Sequence, residues 1–141
     1  MNSRRNFLKT TGLAAAALGL GLPSLSFARQ SADLPFKISL AEWSVNRLLF
    51  SKKLDHLDFA LEAKKHGIYA VEYVNQFFMD KAQDFTYLKE MNTRCTNEGI
   101  TQVLIMVDRE GMLGSRTAAD RQQAVENHKK WIEAAQFLGC H

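Results

Sequence analysis

The sequence of 141 residues predicts an α/β fold built from successive strand–helix units, and three observations support it. Short apolar runs alternate along the chain with longer segments in which apolar residues recur every three or four positions. Each helical segment ends at a glycine, a residue that readily adopts the left-handed conformation found just past a helix. These glycines, Gly67, Gly99 and Gly139, are 32 and 40 residues apart, and an eightfold β/α barrel allots roughly 31 residues to each unit.

The predicted elements follow one another as strand, helix, strand, helix, strand, helix. The strands are short apolar runs of the kind that suits a parallel sheet covered on both faces, and they are predicted over Phe36–Ser44, Ala70–Val74 and Gln102–Val107. The helices are predicted where apolar residues recur at helical spacing, over Leu54–His66, Phe85–Asn97 and Ala118–Leu138.

Two architectures share this alternation, the closed barrel and the open, doubly wound sheet. A dinucleotide-binding sheet of the second kind would carry a Gly-x-Gly-x-x-Gly turn after its first strand. The turn at this place, Glu42–Arg47, contains no glycine. It offers bulky polar and aromatic groups, which build the pocket at a barrel mouth. The sequence therefore favours the barrel.

The chain supplies three of the eight strands that a barrel needs, and it ends at His141, where a fourth strand would begin. We therefore expect residues 29–141 to be the N-terminal portion of a (β/α)8 TIM barrel, truncated before strand 4. Three parallel strands leave an unpaired edge on each side and one uncovered barrel face. The alternative is a half-barrel that completes itself with another chain, so self-association through the open sheet edges is also predicted.

The first 28 residues have the pattern of an export signal. Arg4 and Arg5 are followed by Phe-Leu-Lys and then by the apolar run from Ala14 to Leu22. Small residues at Ser26 and Ala28 predict cleavage after Ala28. The paired arginines resemble the twin-arginine signal, which export machinery reads as an address. This predicts a folded protein exported through the twin-arginine pathway to the periplasm.

The net positive charge of the chain comes from that signal. The formal net charge is +3, and the three basic residues Arg4, Arg5 and Lys9 lie in the first 28 residues, where no acidic residue occurs. The remainder carries 15 basic and 15 acidic residues and has no net charge. A domain without net charge has no general attraction for phosphate backbones, so we expect no nucleic-acid partner.

Polar residues at the predicted carboxyl ends of the strands are the candidate functional groups, because barrel enzymes place their sites there. The candidates are Glu42, Trp43, Ser44, Asn46, Glu72, Asn75, Gln76, Asp108, Arg109 and Glu110. Glu72 stands out because it interrupts an apolar strand, where a carboxylate is costly unless something pairs with it. It is either a pocket-facing group or half of an ion pair. Trp43 either stacks on a ligand or packs in the structure, and Asp108 either lines the pocket or forms a turn.

The histidines and cysteines do not form a recognisable motif for metal binding or for nucleophilic catalysis. His56 has acidic neighbours on a predicted helix and is interpreted as part of a solvated face. His128 shares the apolar stripe of the last helix and is interpreted as a core residue. The sequence does not show whether Cys95 and Cys140 meet in a disulfide or stay free.

Four blocks of the sequence are similar to the sugar phosphate isomerase/epimerase family, which consists of xylose isomerase-like barrels related in fold to the AP endonuclease family 2. The blocks span residues 37–44, 67–78, 104–111 and 124–141, and include the runs KISLAEWS, VEYVNQFF and LIMVDREG. The resemblance covers nearly the whole chain after the signal. Exported members with twin-arginine signals look similar from the first residue onward.

The resemblance implies a protein that isomerises or epimerises a sugar or polyol with a divalent metal, Mn²⁺ or Mg²⁺, or Zn²⁺ as an alternative. In that family the metal ligands come from later strands, so we expect no metal and no activity in this chain alone. Glu72 and Trp43 match pocket residues that position the sugar, and Asn75 and Asp108 complete the predicted substrate-binding set. The competing hypotheses are a non-catalytic exported half-barrel that binds carbohydrate or a partner, and a DNA-repair endonuclease, which export and zero net charge oppose.

Overall fold

The computed structural model of the chain describes residues 36–140. The predicted signal over residues 1–28, its cleavage after Ala28 and the chain end at His141 lie outside the described residues. Between residues 36 and 140 the chain forms a mixed α/β structure, which confirms the predicted fold class at that level.

Three parallel strands form one sheet in the order in which they occur along the chain. They are β1 (Leu40–Ala41), β2 (Ala70–Val74) and β3 (Thr101–Met106). Ala41 lies opposite Glu72, and Val74 lies opposite Met106. The register between β2 and β3 shifts by one residue after Val71, which places Val103 on β3 as an extra residue.

Four α-helices accompany the strands in the described part of the chain. They are α1 (Asn46–Phe50), α2 (Phe59–Lys65), α3 (Phe85–Glu98) and α4 (Ala118–Leu138). The side chains of Asp84 and Thr117 cap the first turns of α3 and α4 by accepting backbone N–H bonds. Gly99 and Gly139 end these helices with positive φ angles of 68° and 74°, as the sequence predicted. Within residues 36–140, no helix is long and apolar enough to cross a membrane.

The first predicted strand is wrong over most of its length. Of residues 36–44 only Leu40–Ala41 are strand, and a 3-10 helix over Glu42–Val45 follows at once. The cause is a tertiary contact: the Glu42 side chain accepts the hydrogen bond of the Val74 N–H, which the backbone of a longer β1 would otherwise take.

The first predicted helix begins later than expected. Leu54 is still part of the turn that closes α1, since its N–H donates to Leu48 O. Asp55 then caps a 3-10 helix over His56–Asp58, and the α-helical part is limited to α2. The other predicted bounds agree within one residue, and those of β2 and α4 coincide with the prediction.

Helices α2, α3 and α4 pack on one face of the sheet. Val71 and Tyr73 of β2 point to that face, and they share a core with Phe59, Leu88 and Trp131 from the three helices. On the opposite face, Leu104 and Met106 of β3 are exposed. The expectation that the strands are covered on both faces therefore does not hold within residues 36–140.

Candidate functional site

The carboxyl ends of β1, β2 and β3 meet at one edge of the sheet, and a buried polar side chain follows two of these ends. Glu42 comes after β1 and Asn75 after β2, and both are fully buried. Each forms hydrogen bonds to the neighbouring strand or to the residue just beyond it. These side chains continue the hydrogen bonding of the sheet where the backbones diverge.

Glu42 links the ends of β1 and β2. Its Oε2 accepts a hydrogen bond of 2.8 Å from the backbone N–H of Val74. Burial raises the pKa of Glu42 to about 8, although the hydrogen bond from Val74 works in the opposite direction. Glu42 therefore carries a proton at neutral pH.

His56 lies beside Glu42 in a pocket of aromatic rings. Its Nε2 is 3.3 Å from Glu42 Oε1, but the two atoms are not aligned as a hydrogen bond, and neither has another hydrogen-bond partner. The ring stacks on Phe78 with centroids 4.5 Å apart. Burial lowers the pKa of His56 to about 4. At neutral pH Glu42 therefore holds its proton and the His56 imidazole is uncharged, so the pair carries no net charge.

Tyr87 connects this pair to the surface. Its hydroxyl is 2.7 Å from His56 Nδ1, and the side chain is half-buried. His56 and Tyr87 line a cleft together with Lys52, Asp55 and Phe77. Glu42, His56 and Tyr87 thus form a continuous series of polar contacts from the end of β1 to the outside of the helix layer. The interpretation of His56 as part of a solvated face is wrong.

Asn75 and Asp108 link the ends of β2 and β3. Asn75 Nδ2 donates to Asp108 O, and Asn75 Oδ1 accepts from Asp108 N, both at 2.9 Å. The Asp108 carboxylate in turn accepts a bond of 2.8 Å from Gln76 Nε2. The structure therefore brings these two predicted site residues together, and the contacts between them stabilise the carboxyl-terminal edge of the sheet.

Glu72 lies on the face of the sheet opposite the helices. It is half-buried, and Ser39 Oγ donates a hydrogen bond to its Oε1. Leu104 is its cross-strand neighbour. No ion pair involving Glu72 occurs among residues 36–140, and Ser39 is its side-chain partner there.

Trp43 belongs to an aromatic group at the same end of the sheet. Its ring centroid is 6.1 Å from those of Phe50 and Phe77, which are themselves 5.1 Å apart. Its side chain remains 43% exposed. Trp43 therefore packs against neighbouring rings and still presents a surface to solvent.

Glu110 fixes the segment that follows β3 to α4. It is buried and accepts hydrogen bonds from Trp131 Nε1 at 2.7 Å and from Lys130 Nζ at 2.8 Å. Burial opposes ionisation, but the bonds from Lys130 and Trp131 together hold the pKa of Glu110 below its usual value. Glu110 thus stabilises the loop as an anion with its partners already in place.

These residues do not fit a divalent metal. Among residues 36–140, no three His, Cys, Asp or Glu side chains are grouped so that they could hold an ion. Glu42 is protonated, and the Asp108 carboxylate is bonded to Gln76. Cys95 and Cys140 are both free thiols; burial raises the pKa of each, to about 11 for Cys140.

Comparison with known proteins identifies the N-terminus. Residues 1–21 match the model of the twin-arginine translocation pathway signal sequence, which confirms the predicted twin-arginine signal and the use of the corresponding export machinery. No curated protein matches the chain closely enough to count as a relative.

Proposed function

We propose that this chain is the N-terminal portion of an exported protein of the sugar phosphate isomerase/epimerase type, with a xylose isomerase-like barrel. The observation that carries the proposal is the arrangement of the sheet. Its three parallel strands are adjacent in chain order, and the three longer helices pack on one face. A doubly wound sheet instead reverses its strand order and places helices on both faces.

The other face of the sheet supports the same proposal. Leu104 and Met106 are exposed there, beside a carboxylate at Glu72. In a closed barrel this face becomes the interior, where apolar side chains fill the ring and polar groups near the carboxyl ends face the substrate. The outer edges of β1 and β3, which have no strand partner within residues 36–140, would pair with further strands.

In the proposed protein, Glu72 and Trp43 contact a sugar or polyol. The free carboxylate oxygen of Glu72 accepts a hydrogen bond from a substrate hydroxyl, and the exposed face of Trp43 packs on the apolar side of the sugar ring. Asn75 and Asp108 keep the ends of β2 and β3 together and shape the pocket. The metal that assists isomerisation takes its ligands from outside the described residues, so this chain alone is inactive.

The proposed location of the protein is the periplasm. Its signal is cleaved after Ala28 once the twin-arginine machinery has exported the folded chain.

The second candidate function is a non-catalytic exported half-barrel that binds carbohydrate or a partner chain. One observation favours it: the polar groups at the carboxyl ends of the strands form hydrogen bonds mainly to one another, as Asn75 does with Asp108. The open strand edges would then bind a second chain.

The test is sugar binding and turnover by the purified 141-residue chain, with Mn²⁺ or Mg²⁺ present. We expect no turnover, and we expect weak sugar binding that Glu72→Gln abolishes. The matched control is Glu133→Gln, which removes a charge from an exposed position on α4. Turnover by the isolated chain would refute the proposal that the metal takes its ligands from outside the described residues. Equal sugar binding by both variants would refute the role of Glu72.

A separate measurement distinguishes the two candidate functions. The genomic sequence beyond His141 is read in all frames for a fourth strand and for metal-ligating residues. Their presence supports the isomerase, whereas their absence together with a dimer in sedimentation supports the half-barrel.

A further inference from the structure

The segment from Trp43 to Leu54 carries a local positive charge that the proposed function does not use. It contains three cations, Arg47, Lys52 and Lys53, and no acidic residue. All three side chains are exposed, and none takes part in an ion pair within the described chain. Since the region after the signal has no net charge, this charge is a feature of one place on the surface.

Backbone contacts hold these cations beside α1. After the helix ends, the chain folds back so that Lys52 N donates to Leu49 O at 3.0 Å and Lys53 N donates to Leu48 O at 2.9 Å. Lys52 adopts a positive φ of 56°, which a non-glycine residue rarely does. The two lysines therefore leave the same tight turn that ends the helix.

Large apolar side chains are exposed next to the cations. Phe50 is 58% exposed, and Trp43 and Leu48 are also exposed. Phe77 supports Trp43 and Phe50 from below, with ring centroids 6.1 and 5.1 Å away. We call Arg47, Leu48, Phe50, Lys52 and Lys53 the basic–aromatic surface. Trp43, which the proposed function assigns to the sugar, adjoins this surface through its contact with Phe50.

We propose that the basic–aromatic surface docks the exported protein on a lipid bilayer rich in anionic phospholipid. The exposed ring of Phe50 and the side chain of Leu48 enter the interfacial layer, where aromatic residues are favoured, while the cations attract the negatively charged headgroups. Asp55, two residues after Lys53, accepts a hydrogen bond from Leu57 N as a helix cap. The surface lies within one continuous segment, so the proposal does not depend on the completion of a barrel.

Cations beside exposed aromatic rings also suit single-stranded nucleic acid. Two observations favour the membrane. The chain carries an export signal, and the three cations occur on a domain without net charge, whereas nucleic-acid binding proteins usually present a broad basic face.

The test measures co-sedimentation of the full chain with vesicles of phosphatidylcholine alone or mixed with phosphatidylglycerol. The decisive variant combines Arg47→Gln, Lys52→Gln and Lys53→Gln. The matched control combines Lys37→Gln, Lys89→Gln and Arg116→Gln, three exposed cations elsewhere. All forms carry the same signal, so a difference in binding between them comes from the substituted residues. Each basic residue contributes about fivefold to partitioning, so we expect the decisive variant to bind anionic vesicles on the order of 100-fold more weakly, and the control to bind as the parent does.

Tryptophan fluorescence provides an independent readout. Trp131 is buried, at 1% exposure, whereas Trp43 is 43% exposed, so a blue shift on adding anionic vesicles reports on Trp43. Trp43→Phe should remove the shift. Equal loss of binding in the decisive and control variants, or an unchanged emission spectrum on bound vesicles, would overturn the proposal. Binding of single-stranded DNA that the decisive variant loses, with no vesicle binding, would overturn it as well.

Discussion

Two glutamates at the carboxyl-terminal edge of the sheet, Glu42 just after β1 and Glu72 in β2, have opposite environments. Glu42 directly follows Ala41, which pairs with Glu72, so the two carboxyl groups are one step apart in register. Glu42 faces the helices, is fully buried and holds a proton, while Glu72 faces the other way and is half-buried with Ser39 as its partner. The comparison shows that the face of the sheet decides whether a carboxyl group at this edge is fully buried or partly exposed.

The largest expected effect is that of removing Glu42. Glu42→Ala leaves the buried Val74 N–H without an acceptor and opens a cavity beside His56. An unsatisfied buried donor and the missing atoms together cost about 3 kcal/mol of unfolding free energy. Urea unfolding followed by circular dichroism measures this loss.

Glu42→Gln is the matched control, since an amide oxygen can still accept from Val74 and the side chain keeps its shape. Near pH 6 the unfolding free energy of Glu42→Gln should be lower than that of the parent by less than about 1 kcal/mol, which is the range of a conservative core change. A loss as large for Gln as for Ala would show that the carboxyl group itself, and not the acceptor, stabilises the fold.

The second prediction concerns the pH dependence of stability. In the folded chain Glu42 keeps its proton up to about pH 8, and His56 stays neutral down to about pH 4, because burial disfavours both charges. Unfolded, the groups titrate near their ordinary values of 4.5 and 6.5. Between pH 4.5 and 6.5 the folded and the unfolded state each hold one titrating proton on the pair. The contribution of the pair to the unfolding free energy is therefore independent of pH in this range.

Outside that window the contribution of the pair falls on both sides. From pH 6.5 to 8 the folded state holds a proton that the unfolded state has lost, so the unfolding free energy drops by about 2 kcal/mol as pH rises. Below pH 4.5 the unfolded state binds a second proton, and stability falls as pH decreases. In Glu42→Gln only His56 remains, so stability should rise up to pH 6.5 and then stay level. If the unfolding free energies of the parent and of Glu42→Gln depended on pH in the same way, the assignment of Glu42 and His56 as a neutral pair would be contradicted.

The sequence predicted those parts of the fold that depend on local pattern. The apolar run of β2 and the helical period of α4 give the observed bounds, and Gly99 and Gly139 end their helices as expected. The first strand was mispredicted because its end depends on a hydrogen bond between Glu42 and Val74, which lie 32 residues apart. Periodicity within a window does not contain such a contact.

The candidate site was predicted by position more than by role. Asn75 and Asp108 do lie at the strand ends, yet their reciprocal bonds could not be inferred from either residue alone. The sequence predicts a helix that begins at Leu54, and this helix does not place His56 in the core. The Asp55 cap starts a 3-10 turn, which changes the helical phase and turns His56 inward. An aspartate directly before His56 is the one local signal for that cap.

The smallest expected effect is that of Glu72→Gln. Glu72 has only Ser39 as a side-chain partner among residues 36–140, and glutamine still accepts that bond. We therefore expect a change in unfolding free energy of less than about 0.5 kcal/mol, as for substitutions that leave the core and its buried hydrogen bonds intact. A change above about 1 kcal/mol, measured by the same urea titration, would mean that this face of the sheet is covered in solution. Both faces of the sheet would then be covered. The difference between Glu42 and Glu72 would come from the partner that covers Glu72 and not from exposure to solvent.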